Sequence, residues 1–202
     1  MRKNENRIYF HEYTDIEIVQ GECNHSFPVH IHETLCVGLI TSGRAKISMS
    51  GHKETLLSVG DYYVIPPYTP HALSSVAHEK FNYRVICFKN FFAGKRLDSI
   101  VSEAKTYIET CDSRFCIDLL SETVHISKYH LDRIFKEQIG ITPYQFYIGV
   151  RMKKVRQGLQ ARSPLSDIVF NFHFSDQNHL CNMFRKHVGI SPTQYAQSYQ
   201  YH

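Results

Sequence analysis

No stretch of this 202-residue chain approaches the roughly 20 consecutive apolar residues that cross a bilayer, so a membrane role has no support in it. Its six cysteines (Cys23, Cys36, Cys87, Cys111, Cys116, Cys181) form no CxxC pair and keep no even spacing, and residues 1–6 lead into no apolar signal core. Reduced thiols in a cytoplasmic protein are therefore expected. Neither polarity nor charge is in excess: 43% of the residues are apolar and 21% charged, which excludes a disordered tail or a fibrous protein. The net charge of +4 is too small to announce a nucleic-acid partner by itself.

What the chain does hold is a repeat. Ser127-Lys128-Tyr129-His130-Leu131-Asp132-Arg133-Ile134-Phe135-Lys136, with Gly140-Ile141-Thr142-Pro143 after it, is echoed by Ser175-Asp176-Gln177-Asn178-His179-Leu180-Cys181-Asn182-Met183-Phe184-Arg185 and Gly189-Ile190-Ser191-Pro192. Leu131, Phe135, Gly140 and Pro143 lie 49 residues before their counterparts, whereas Leu120, His125 and Ser127 lie 48 before Ile168, His173 and Ser175. One extra residue thus sits at the turn of the second copy. A duplicated helix-turn-helix with a helix between the copies puts two reading helices on one face of DNA. From Lys128 onward cations also outnumber anions, so the positive charge lies in the duplicated half.

Up to about Phe88 the apolar runs are short, rich in aromatic and β-branched residues, and punctuated by Ser42-Gly43, Ser50-Gly51-His52, Gly60-Asp61 and Pro66-Pro67-Tyr68. Strands are expected at 16–19, 35–40, 45–49, 55–57, 62–65, 71–75 and 83–88, which suits a sandwich or small barrel. After Gly94 the period changes: Leu97, Ile100, Val101, Ala104, Tyr107 and Ile108 follow helical spacing. The boundary is expected at 92–95, giving an all-β domain over 1–94 and an all-α domain over 95–202.

Within the first half, His30-Ile31-His32 is followed by Gly43, and Gly60 by Pro66 and His71. This pattern resembles the cupin fold, a jelly-roll barrel in which such histidines converge. Where metal-binding cupins carry a glutamate stands Cys36, and where a glycine usually follows the proline turn stands Tyr68. Three imidazoles and a thiolate suit tetrahedral Zn²⁺, and imidazoles with an open position suit iron or another transition metal. The alternative is that they line a ligand pocket or bond to backbone. We adopt a pocket lined by His30, His32, Cys36, Tyr63, Tyr68 and His71, with no metal and no cofactor assigned.

In the second half, 117–124 suits a scaffold helix, His125-Ile126 a turn, Ser127 an N-cap, and 128–139 a reading helix stopped by Gly140. The second unit repeats this with 165–172, His173-Phe174, Ser175 or Asp176, and 177–187; residues 144–161 connect the two. Leu120-Ser121, Leu131-x-Arg133-x-Phe135-Lys136, Gly140-Ile141-Thr142-Pro143, Arg151, Ile168, Phe174-Ser175-Asp176, Phe184-Arg185-Lys186 and Gly189-Ile190-Ser191-Pro192 together resemble the DNA-binding domain of the AraC/XylS transcription regulators, over about half the chain. Many members of that family place an effector-sensing jelly roll first.

The resemblance implies a small-molecule-responsive regulator acting on double-stranded promoter DNA, with RNA polymerase as a further partner. Arg133 is expected to contact guanine, and Gln177 and Asn178, with Asn182 beside them, to read adenine edges. Lys128, Lys136, Arg151, Lys154, Arg185 and Lys186 are expected on phosphates, Tyr129 on a sugar or thymine methyl, and Asp132 on the same outer face. The chain also departs from the family. Both turns carry histidine, His125 and His173, where glycine is usual; Val169 replaces an alanine, Gly158 a leucine, and Asn182 an arginine. Phe88 passes almost directly to Leu97, without the helical segment often used for dimerisation, so a homodimer is left open. Two other readings stand beside this one: a metal-dependent cupin enzyme with an appended helical domain, and a degenerate regulator acting through protein contacts.

Overall fold

The computed structural model describes residues 6–89, 97–111 and 113–201, without the side chains of 199–201. The boundary expected at 92–95 lies outside the described residues. Eight strands come first: β1 (Arg7–Glu12), β2 (Ile16–Cys23), β3 (Leu35–Ser42), β4 (Ala45–Met49), β5 (Thr55–Leu57), β6 (Tyr62–Ile65), β7 (His71–Ser75) and β8 (Phe81–Phe88). Seven helices follow: α1 (Ser99–Thr110), α2 (Ile117–Thr123), α3 (Lys128–Ile139), α4 (Pro143–Gln160), α5 (Leu165–Asn171), α6 (Gln177–Val188) and α7 (Pro192–Ser198), with a last strand, β9 (Tyr199–Tyr201).

The strands form two sheets, β6-β3-β8-β2-β1-β9 and β5-β4-β7, antiparallel except for β1 with β9. Period-two alternation decides what they enclose. Tyr63 and Ile65 of β6 point inward while Tyr62 and Val64 stay exposed; Cys23, Cys36, Ile40, Ile47, Leu73, Phe81, Tyr83 and Cys87 complete the barrel core. This is the cupin-like all-β half. The segment before β3 adds to the free edge of β7: Phe27 N donates to Leu73 O at 2.9 Å, and His30 and His71 exchange both backbone bonds at 3.0 Å.

The helices close a second core. Leu131, Phe135 and Ile139 of α3 and Leu180 and Phe184 of α6 recur at three- and four-residue spacing and are buried. α1 joins them through Val101, Ala104 and Ile108, so the segment after the barrel is part of the helical body. Ile8 and Phe10 of β1 lie in this core as well, and the rings of Phe10 and Tyr195 are 4.7 Å apart. Arg156 of α4 pairs with Glu17 of β2 and donates from Nε to the Tyr195 hydroxyl at 3.0 Å. Through β1 and β2 the barrel is built into the helical half.

Three elements escaped sequence reading. β1 is six residues bounded by charges, yet Ile8 and Phe10 alternate with exposed Arg7 and Tyr9. α7 opens with a Ser191–Gln194 capping box, the counterpart of the Thr142–Gln145 box that opens α4. β9 pairs only with β1, a long-range partner that local pattern cannot show.

Candidate functional site

Each helix-turn-helix is built from its caps outward. The Ser127 hydroxyl accepts from His130 N at 3.3 Å, satisfying an orphan donor at the start of α3, and Gly140 ends that helix in the left-handed region at φ 92°. In the second unit Asp176 is the N-cap, its carboxylate accepting from His179 N at 2.7 Å, while Ser175 donates to Asp176 at 2.9 Å. The extra residue of the second copy thus moves the cap from serine to aspartate. His125 (φ 54°) and His173 (φ 56°) both adopt the left-handed conformation that glycine would take without strain.

With Leu131 and Phe135 buried, α3 turns outward Lys128, Tyr129, Asp132, Arg133 and Lys136; Tyr129 is 80% exposed. Lys128 bonds Asp118 of α2 at 3.1 Å, and Arg133 bonds Glu137 one turn on at 3.2 Å. Both pairs are solvent-exposed and contribute little to stability. α6 exposes Gln177, Asn178, Asn182, Arg185 and Lys186, the last two in its final turn. Lys154 of α4 is half-buried.

Arg151 does not join this surface. It is 8% exposed, stacks 3.8 Å from the ring centre of Phe174, and donates from Nε to Phe172 O at 2.6 Å. Its guanidinium satisfies a carbonyl at the end of α5 and clamps the second turn onto α4, so the expected phosphate contact is corrected to a packing role. The signal was present: Arg151 falls on the buried stripe of α4 with Ile148, Met152, Val155 and Leu159.

The expected pocket set divides. His30, His32 and His71 converge, one ring nitrogen of each lying within 4.8 Å of those of the other two, with ring centres 4.3 to 5.9 Å apart. Cys36 stands beside them, its sulfur 3.7 Å from Nε2 of His32 and 2.9 Å from the Cys87 sulfur. Tyr63 is packed into the barrel core, and Tyr68, at φ 58°, turns to Lys105 of α1, whose ammonium lies 5.3 Å from its ring centre. Tyr63 shares the barrel core with Cys36, and Tyr68 joins the histidine segment through its backbone, its N donating to His32 O at 2.9 Å.

The chemistry of the trio is set by the backbone. A carbonyl can only accept, so Nδ1–H of His30 donates to Pro28 O at 2.8 Å, that of His71 to Thr69 O at 2.8 Å, and that of His32 to Thr34 O at 3.1 Å. The lone pair of each neutral ring is then on Nε2. Burial, reinforced by the neighbouring imidazoles, pushes His30 down to about 4 and His71 down to about 2, so both rings stay neutral near pH 7. The hydrogen bond between Cys36 and Cys87, with His32 beside it, brings the Cys36 thiol down to about 5. The three imidazoles are a group that could hold a metal ion, and a backbone hydrogen bond on the other ring nitrogen is the usual outer-shell arrangement of ligating histidines.

The family model of the AraC-like ligand binding domain matches residues 18–138, and that of a helix-turn-helix domain matches residues 120–198. The chain is 30% identical over 103 residues to "Probable transcriptional regulator LumQ" of Photobacterium leiognathi, covering 50% of this chain and 41% of LumQ. It is 32% identical over 81 residues to "HTH-type transcriptional activator RhaS" of Escherichia coli O139:H28 (strain E24377A / ETEC), covering 40% of this chain and 29% of that one. With "HTH-type transcriptional activator AarP" of Providencia stuartii the identity is 28% over 102 residues, 50% of this chain and 76% of AarP. The chain thus spans less than half the length of LumQ and of RhaS.

Proposed function

Because the chain belongs to the AraC family of transcriptional regulators, we propose that it is a one-component regulator whose barrel senses an effector and whose two helix-turn-helix units read promoter DNA in the cytoplasm. The observation that carries this reading is the pair of capped helices, α3 and α6, each with a buried apolar face and an exposed polar row of base- and phosphate-binding type. Arg133 reads guanine, Gln177 and Asn178 read adenine edges with Asn182 beside them, and Lys128, Lys136, Lys154, Arg185 and Lys186 set phosphate affinity. RNA polymerase is the expected protein partner at a promoter. The enzyme reading has less behind it, since the relatives are named as transcriptional regulators.

The test is selection of bound duplexes from a random pool, with wild type and Arg133→Ala side by side at two salt concentrations. A motif spanning two successive major grooves, relaxed at one base position in the variant, is the expected result. An unchanged preference in Arg133→Ala removes the assignment of that residue, and no enrichment by wild type removes the regulator reading.

A homodimer belongs to the same proposal. On the outer face of the larger sheet Leu39, Tyr62, Val64, Ile86 and Phe88 are all more than a third exposed, and cross-strand register makes them neighbours. A contiguous apolar face of this kind marks a contact surface. Sedimentation is expected to give a dimer for wild type and a monomer for Val64→Glu; a monomeric wild type at micromolar concentration sinks this part.

A further inference from the structure

Two of the buried thiols face each other across the larger sheet. Cys36 of β3 and Cys87 of β8 are direct partners in the antiparallel register, and their sulfurs are 2.9 Å apart. Both are free cysteines, 2% and 9% exposed. Residues directly opposite in an antiparallel pair have Cα atoms about 4.5 or 5.5 Å apart, and a disulfide spans about 4.4 to 6.8 Å. The backbone of β3 and β8 therefore already stands where a bond between the two side chains needs it. Bringing the sulfurs to about 2.05 Å takes a movement of under about 1 Å.

Packing alone does not account for the surroundings of this pair. A cysteine that serves as a small core hydrophobe needs only apolar neighbours. Cys36 instead has Thr34 Oγ1 at 3.4 Å and Nε2 of His32 at 3.7 Å. Thr34 and His32 are half-buried, so this polar corner is the side from which a small polar molecule reaches the sulfur. Cys23 is the contrast: it lies in the same core, but its register partner is Phe81 and not a cysteine.

We propose that Cys36 and Cys87 are a reversible dithiol–disulfide site whose oxidising substrate is a small hydroperoxide. The Cys36 sulfur attacks one peroxide oxygen, the O–O bond breaks, and the thiol proton leaves with the departing oxygen as water, so that Cys36 becomes a sulfenic acid. The Cys87 sulfur then attacks the Cys36 sulfur. The S–S bond forms, the S–O bond breaks, and the hydroxyl leaves with the Cys87 proton as a second water. Two electrons pass from the two thiols to the peroxide. A dithiol reductant reverses the step by thiol–disulfide exchange. The site is independent of the DNA-reading helices and stands or falls without them.

The experiment treats reduced full-length protein with hydrogen peroxide, blocks the remaining thiols, and maps linked peptides by mass spectrometry. A peptide pair joined through Cys36 and Cys87, two hydrogens lighter than its parts and separated again by dithiothreitol, is expected. The same treatment in urea, where the strand register is lost, is expected to scatter the pairing among the six cysteines. Cys87→Ala, its fold checked by circular dichroism, is expected to hold Cys36 as a sulfenic acid that a 1,3-dione traps. Recovery of Cys36 and Cys87 as free thiols under peroxide that oxidises the exposed Cys116 overturns the site. A Cys36–Cys23 link in place of Cys36–Cys87, or an equal yield of the Cys36–Cys87 link in urea, overturns the claim that the strand register directs the pairing. A wild-type link without a trapped sulfenic acid in folded Cys87→Ala overturns the order in which the two sulfurs react.

Discussion

At residue scale the chain places cations and strain where side-chain type alone misleads. Arg151 lies on a basic helix between two DNA-reading units, yet its guanidinium serves as a buried fastener for the second turn. We expect Arg151→Ala to lower stability by about 2 to 3 kcal/mol, from a charged hydrogen bond and a desolvated cation–π contact. The slope of DNA affinity against salt should stay as in wild type, because no phosphate contact is removed. Urea unfolding with a salt titration decides it: unchanged stability with a shallower slope would return Arg151 to the DNA face. His125 shows the opposite case. An L-residue in the left-handed helical region costs about 1 kcal/mol or more, and His125 is exposed there. His125→Gly should therefore raise stability by about 0.5 kcal/mol after glycine's greater unfolded-state entropy is counted. A midpoint in urea that falls on this substitution would show that the histidine makes compensating contacts.

At the scale of elements, legibility followed the range of the forces involved. α3 was readable to its ends because Ser127, the Leu131–Phe135–Ile139 stripe and Gly140 act within a few residues of one another. The strands from β3 to β7 were bracketed by turn formers in the same way. α7 was also within reach, since Ser191-Pro192 and Gln194 repeat Thr142-Pro143 and Gln145 at the offset of 49, and both pairs form capping boxes. Gly158 could not be understood locally: inside a helix it only costs propensity. In the fold α4 passes so close to α5 that a Cβ at 158 would lie 3.2 Å from Ile168 Cγ1 and 3.6 Å from Phe172, a tight fit that a larger side chain meets only if Ile168 gives way. The histidine trio was legible as a set but not as a geometry. Spacing brought His30, His32 and His71 to attention, and the carbonyls that orient their rings, those of Pro28, Thr34 and Thr69, lie only two residues away; what local pattern could not show is the backbone pairing of His30 with His71 that brings the rings together.

The whole molecule reads as two halves of different secondary structure, and its energetics join them. Ile8 and Phe10 complete the helical core, β9 returns to pair with β1, and Arg156 of α4 reaches Glu17 of β2 with Phe10 and Tyr195 around its guanidinium. The Arg156 side chain is 30% exposed and that of Glu17 12%, so the pair is largely shielded from water. Removing one partner of such a pair leaves the other charge desolvated and uncompensated, which costs about 3 kcal/mol at the low end of buried pairs, whereas removing both costs much less. Calorimetry of wild type is accordingly expected to show one transition for the whole chain. Glu17→Ala should lower the midpoint by about 6 to 12 °C, at about 2 to 4 °C per kcal/mol for a chain of this size. Glu17→Ala combined with Arg156→Leu should recover a large part of that loss, because leucine replaces the guanidinium against Phe10 and Tyr195 without a charge to desolvate. Equal losses in the single and double variants would mean that the aromatic cage around Arg156, and not its pairing with Glu17, holds the two halves together.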